Sequence, residues 1–160
     1  MNCGVYRGGS VVRMKMGASN VVKAKSGRFV APDGSGYMDM AGAASTDIMG
    51  WVLGSFEATA ISTDGATSWP IESDIFGKLF IMPACNATAT AATEAEMQAT
   101  IGETVDITME STNYQYCDIS LSAVDILLVL GYIYEGSAYG EQYAIVKVNH
   151  NKLSYTTHTT

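Results

Sequence analysis

The segment Thr104–Glu110, TVDITME, alternates without a break: Val105, Ile107 and Met109 fall on one side, Thr104, Asp106 and Thr108 on the other. A period of two marks a half-buried strand, because successive side chains of an extended backbone point to opposite faces. The pattern recurs along the chain. Val12, Met14 and Met16 alternate with Arg13 and Lys15, and YMDMA at 37–41 alternates again; KLFIM at 78–82 reads as a short buried strand, and residues 114–121, 125–134 and YAIVKV at 143–148 follow as strands. Eight or nine such segments at roughly ten-residue spacing, with no alternation of strand and helix, disfavour a parallel α/β sheet. They predict a mainly β fold, a compact β-barrel or sandwich-like domain.

Punctuation refines this layout. Gly17–Asn20 is a turn signal, so Val11–Met16 and Val21–Ala31 are expected to pair as a first hairpin. Pro32-Asp33-Gly34 predicts a second turn, with Asp bonding the local backbone and Gly supplying positive φ. Ile48–Ile61 reads as one long strand kinked at Gly50 and Gly54, residues 62–77 as a loop, and Lys78–Met82 as a short strand ended by Pro83. Residues 84–92 read as a further loop. Thr93-Glu94-Ala95-Glu96 is a T-x-x-E capping box, which starts the one predicted helix near 94–101, and Gly102 stops it. The 160 residues suit one domain. The expected organisation is an extended N-terminal arm at 1–10, a β-rich domain at 11–153 and a flexible tail at 154–160.

Charge is unevenly spread. Residues 1–32 hold Arg7, Arg13, Lys15, Lys23, Lys25 and Arg28 and no acid, whereas the rest sets three cations against all sixteen acids, a net −13 within a total of −7. The acidic body argues against a nucleic-acid partner. Charged residues make up only 16% of the chain, which fits either a surface partly covered by other subunits or an ordinary β-domain faced with Thr and Ser.

Candidates for chemistry are thin. The three cysteines, Cys3, Cys85 and Cys117, form no CxxC, so they predict neither a disulfide framework nor a zinc site, and synthesis in a reducing cytoplasm is the simplest expectation. His150 and His158 lie close to the C-terminus, and no spacing brings either to a thiol. Glu94 and Glu96 belong to the helix start. There is no calcium loop and no Gly-rich phosphate cradle, so no cofactor, metal or catalytic residue is expected. The apolar run Ile126–Tyr134 is far short of the roughly 20 residues of a membrane helix. Tyr132 with Tyr134, and Tyr114 with Tyr116, share strand faces without neighbouring cations, which fits packing rather than base stacking.

Between Val22 and Val52 the runs VKAKSGRFV and DGSGYMDMAGAASTDIMGWV combine a Gly-Arg-Phe-Val strand, an Asp-Gly turn, small residues and an Ile-x-Gly-Trp-Val strand. This arrangement resembles the β-rich head decoration, or capsid cement, proteins of tailed bacteriophages. KLFIMPA, ATEAEMQATIGETVDI and the terminal strand pair are compatible with it. The resemblance implies a structural virion protein, made in the host cytoplasm, that binds the outside of a phage head and bridges neighbouring major capsid subunits, often as a homotrimer, without catalytic residues. Arg7, Arg13, Lys15, Lys23, Lys25 and Arg28 are then the expected interface, facing an acidic patch on the capsid or the acidic flank of the next copy. Two rival classes share the β-rich character: a phage fibre or tail-tip module recognising a surface glycan, and a tail-tube or connector subunit. An enzyme ranks last.

Overall fold

The structure, a computed structural model, describes residues 11–18, 28–53, 61–86, 90–110, 114–120, 123–134 and 142–152. It is mainly β, as the alternation predicts. One sheet of five strands runs β1 (Val11–Lys15), β5 (Ser68–Glu72), β4 (Gly50–Val52), β2 (Phe29–Pro32), β3 (Met38–Met40). The other contains β6 (Phe80–Asn86), β7 (Thr90–Ala91), β8 (Thr104–Glu110), β9 (Tyr114–Asp118), β10 (Leu127–Ile133) and β11 (Gln142–Val148), in the order β11-β10-β8-β9-β6-β7. Because β6 also pairs with β11, five of these strands close on themselves as a barrel. Among the described residues the ring is continuous, with β6–β9 and β10–β8 each joined by two residue pairs.

The two sheets share a core. Phe29, Ala31, Ile48 and Ile75 pack into one cluster with Met82, Val105, Ile107, Leu127, Val129 and Val146 of the barrel. Val30, on the opposite face of β2, joins Met16, Met38, Val52, Trp69 and Ile71 in a second, smaller cluster. A strand buried on both faces needs apolar residues at consecutive positions, which is why FVA breaks the alternation. Phe29, Trp51 and Phe80 stack across the junction with ring centroids 4.6–4.8 Å apart. Gln115 of β9, itself buried, locks it: its Oε1 accepts from Phe29 N–H at 2.8 Å, and its Nε2 donates to Ala41 O at 2.6 Å and Phe29 O at 3.1 Å.

Local signals hold where they are self-contained. The turn at 33–37 joins β2 to β3, with Asp33 Oδ1 accepting from Ser35 and Tyr37 N–H and Gly34 at φ 83°. The helix α1 (Glu94–Ala99) carries the full capping box, and Gly102, at φ 90°, donates to Val129 O.

Four expectations are corrected. Among the described residues, 11–31 show no hairpin pairing: β1 pairs antiparallel with β5, while β2 lies between β4 and β3, and 19–27 lie outside the described residues. The stretch 62–77 contains β5, whose Pro70 sits opposite Arg13 and whose carbonyl accepts from Leu53 N–H. Among the described residues, the strand expected over Ile48–Ile61 is confined to Gly50–Val52; a Cβ on Gly50 would lie 2.6 Å from Glu72 O, so the glycine is required for close pairing with β5. Finally, β6 runs through Pro83 to Asn86, and β7 follows, where a loop was expected. At Pro83 the strand pairs with β11 alone, so the missing N–H is tolerated on the other side.

Candidate interaction surface

The expected interface cations separate into three groups. Arg13 and Lys15 are exposed on the outward face of β1, with Arg13 Nη2 donating to Ser68 O at 2.6 Å. Arg28 is only 1% exposed, which corrects its assignment to an external docking surface: it precedes the doubly covered strand β2, and its side chain is taken into the protein with it. Arg7, Lys23 and Lys25 lie outside the described residues, as do the arm at 1–10 and the tail at 154–160.

The barrel carries a surface that sequence reasoning missed. On β11 the burial alternates, so Tyr143, Ile145 and Lys147 face outward. The register sets Ile145 between Ile81 of β6 and Gly131 of β10, Tyr143 between Pro83 and Ile133, and Lys147 beside Leu128. Ile81 is 57% exposed, and Leu79 just ahead of it 60%. A bulge between Val129 and Gly131 turns Leu130 to solvent as well. Large apolar side chains on three adjacent strands, with one charge among them, make a contiguous apolar face of the kind that marks protein interaction sites. In sequence KLFIM is apolar on both faces, Leu79 and Ile81 on one and Phe80 and Met82 on the other, so nothing local marks one face as exposed.

Among the described residues, the thiols, His150 and two buried carboxylates have structural surroundings. Cys85 and Cys117 are buried thiols that form no disulfide. Burial pushes the Cys117 thiol up, and neighbouring Cys85 and Asp118 push in the same direction, so the nucleophilic thiolate is suppressed. His150 stacks edge-to-face on Phe76 at 5.3 Å, and His158 and Cys3 lie outside the described residues. Asp106, expected on a polar strand face, is instead buried and accepts from the N–H groups of Ala123, Val124 and Asp125 at 2.7–3.2 Å. That clamp holds the turn at Asp125, a non-glycine residue at φ 61° whose Oδ1 accepts from Thr104 Oγ1. Asp118 accepts from Ser120 N–H and hydroxyl. Among the described residues no group of three His, Cys, Asp or Glu side chains is placed to hold a metal ion. No described helix is long and apolar enough to cross a membrane.

Comparison of the chain with family models, curated proteins and solved structures found no match. What the coordinates define is an architecture: a closed β-barrel joined through a common core to a five-stranded sheet.

Proposed function

We propose that this protein is a structural virion component that binds the outer surface of a bacteriophage capsid and stabilises it by bridging neighbouring major capsid subunits. The observation that carries the reading is the apolar face across β6, β11 and β10. At the centre of that face β11 is backbone-paired on both sides, so it binds through side-chain packing against another surface. Burying Leu79, Ile81, Leu130 and Ile133, each more than a third exposed, supplies a hydrophobic gain that requires no turnover. The exposed cations of β1 add a second contact of opposite character, and the resemblance at 22–52 supplies the partner class.

The test is a pelleting assay. Empty heads assembled without this chain, mixed with the purified protein and sedimented, should take it up at a fixed copy number per capsid subunit. Ile81→Asp, which places a charge at the centre of the apolar face, should leave the protein in the supernatant while its circular dichroism is unchanged. Absence of wild-type protein from the pellet, or equal uptake of the variant, rules the reading out.

A further inference from the structure

One end of the apolar face on the barrel runs into a hollow with a charge at its rim. The register sets Thr104 of β8, Leu128 of β10 and Lys147 of β11 in one row across the outer surface. The turn after β5 keeps Ile75 in the core and leaves Phe76 57% exposed. Gly77, at φ 72°, permits that turn, and an ion pair of 2.9 Å between Lys78 and Glu72 ties its two sides. At the end of β11, Asn149 N–H donates to Ile126 O and its side-chain amide to Asp125 O, each at 2.9 Å. These bonds fix the chain just before His150, whose ring stacks edge-to-face on Phe76. Phe76, Leu128, Lys147 and His150 thereby wall a hollow of about 220 Å³. The charge is out of the ordinary for this body. Residues 33–160 hold three cations against sixteen acids, and Lys78 has taken Glu72 as its partner. Lys147 makes no ion pair with a described residue and stands beside apolar side chains instead.

We propose that this hollow takes an apolar side chain of a partner protein that carries a carboxylate next to it. The side chain lies against Leu128 and the Phe76–His150 pair, and the carboxylate meets the Lys147 ammonium. Pockets for whole small molecules run to roughly 300–1,000 Å³, so a smaller hollow suits a single anchoring side chain. The charge selects the neighbour of that anchor. A carboxylate is repelled by most of a body with a net −13 and attracted at Lys147, so it fixes the register of the partner on the apolar face. A nucleic acid brings a charge with every phosphate and is repelled by the same body. The inference deepens the capsid reading, on which it rests for the partner being a capsid subunit, by naming the chemistry of the segment that docks.

The experiment is amide NMR on the purified full chain, titrated with the peptide acetyl-Phe-Glu-amide in the absence of capsids. Saturable shifts should appear at Gly77, Leu128, Lys147 and His150, with a dissociation constant on the order of 1–10 mM. Acetyl-Phe-Gln-amide should bind about threefold more weakly, the scale of an exposed ion pair, and acetyl-Ala-Glu-amide weaker again for want of the anchor. Lys147→Gln should abolish the preference for Glu over Gln while still binding acetyl-Phe-Gln-amide, which separates loss of the charge from loss of the fold. No saturable shift up to about 20 mM, equal affinity of wild type for the Glu and Gln peptides, or a preference that survives Lys147→Gln would each overturn the proposal. The comparison of peptides on wild type decides by itself if the variant fails to fold. Peptide binding by a protein that does not pellet with capsids would keep the hollow and remove the capsid reading, and pelleting without peptide binding would do the reverse.

Discussion

Replacing Gln115 with Met should separate the two halves of this fold more effectively than removing any single core methyl. Gln115 is 1% exposed and makes three hydrogen bonds to main-chain groups of Phe29 and Ala41, which lie 86 and 74 residues away. Met keeps the length and nearly the volume, so the loss is not a cavity effect. It strands the Phe29 N–H and the Ala41 carbonyl, while the Phe29 carbonyl keeps its bond from Ala41 N–H. At about 1–3 kcal/mol for each buried group left without a partner, the cost is about 4 kcal/mol. Total stabilities run at about 5–15 kcal/mol, so this is a large share. With a urea slope of about 2 kcal/mol/M, the unfolding midpoint should fall by about 2 M while the slope stays constant. Gln115→Glu is the companion: it keeps an acceptor for Phe29 N–H but turns a second oxygen on two carbonyls. Its loss should exceed that of Met at neutral pH and shrink in acid, where the protonated carboxyl donates again. A midpoint shift below about 0.5 M for Gln115→Met would refute the claim that this amide joins the two sheets.

Further predictions concern the helix and the thiols. Glu96 accepts from Thr93 N–H and hydroxyl and from the Asn86 amide, and these bonds, the Thr93 backbone bond foremost, hold its carboxyl below the ordinary value of 4.5. A depressed folded pKa contributes stability above the unfolded value and loses it as pH falls through the folded one. Wild type should therefore lose stability from about pH 4.5 downward, and thermal melts of Glu96→Gln should show a shallower acid limb; parallel limbs would contradict the assignment. In a Cys3→Ser background, Cys85 and Cys117 should resist a thiol reagent in native buffer and both react in denaturant, since both are buried and the Cys117 thiol is shifted up. Stoichiometric labelling of the native protein would show that the barrel opens.

Elements with a complete local signal were legible in sequence. TVDITME became β8 over the expected residues, and the capping box at Thr93 and the turn at Asp33 need only neighbours a few residues away. The strand SWPIE also alternates, with Trp69 and Ile71 buried, but Trp-Pro outweighed the pattern because proline usually ends strands. The pairing of β1 with β5 spans more than fifty residues and leaves no local trace. Arg28, Asp106 and Gln115 look like surface positions from the sequence yet are buried. For Asp106 and Gln115 the reason is visible: each hydrogen-bonds main-chain groups of a distant segment, and only the fold reveals which groups those are. The proposed interaction surface was half legible. Arg13 and Lys15 stood out as charge, whereas the apolar face became apparent only once barrel closure fixed which side of β6 and β11 is inside.

Barrel closure also decides how the two surfaces must respond to their surroundings. On β11 the backbone is paired on both sides, so the outer face there interacts through apolar side chains, and excluded salts such as sulfate should strengthen any contact it makes. The five-stranded sheet presents Arg13 and Lys15 on the exposed face of β1, and added NaCl should weaken any contact made through them. One protein titrated with two salts then reports on both. Capsid uptake carried by the apolar face should survive high NaCl and rise in ammonium sulfate, whereas uptake carried by the β1 cations should fall steeply with NaCl. If uptake declines along the NaCl series and does not rise in ammonium sulfate, the charged strand carries it, and the assignment to the barrel face is wrong.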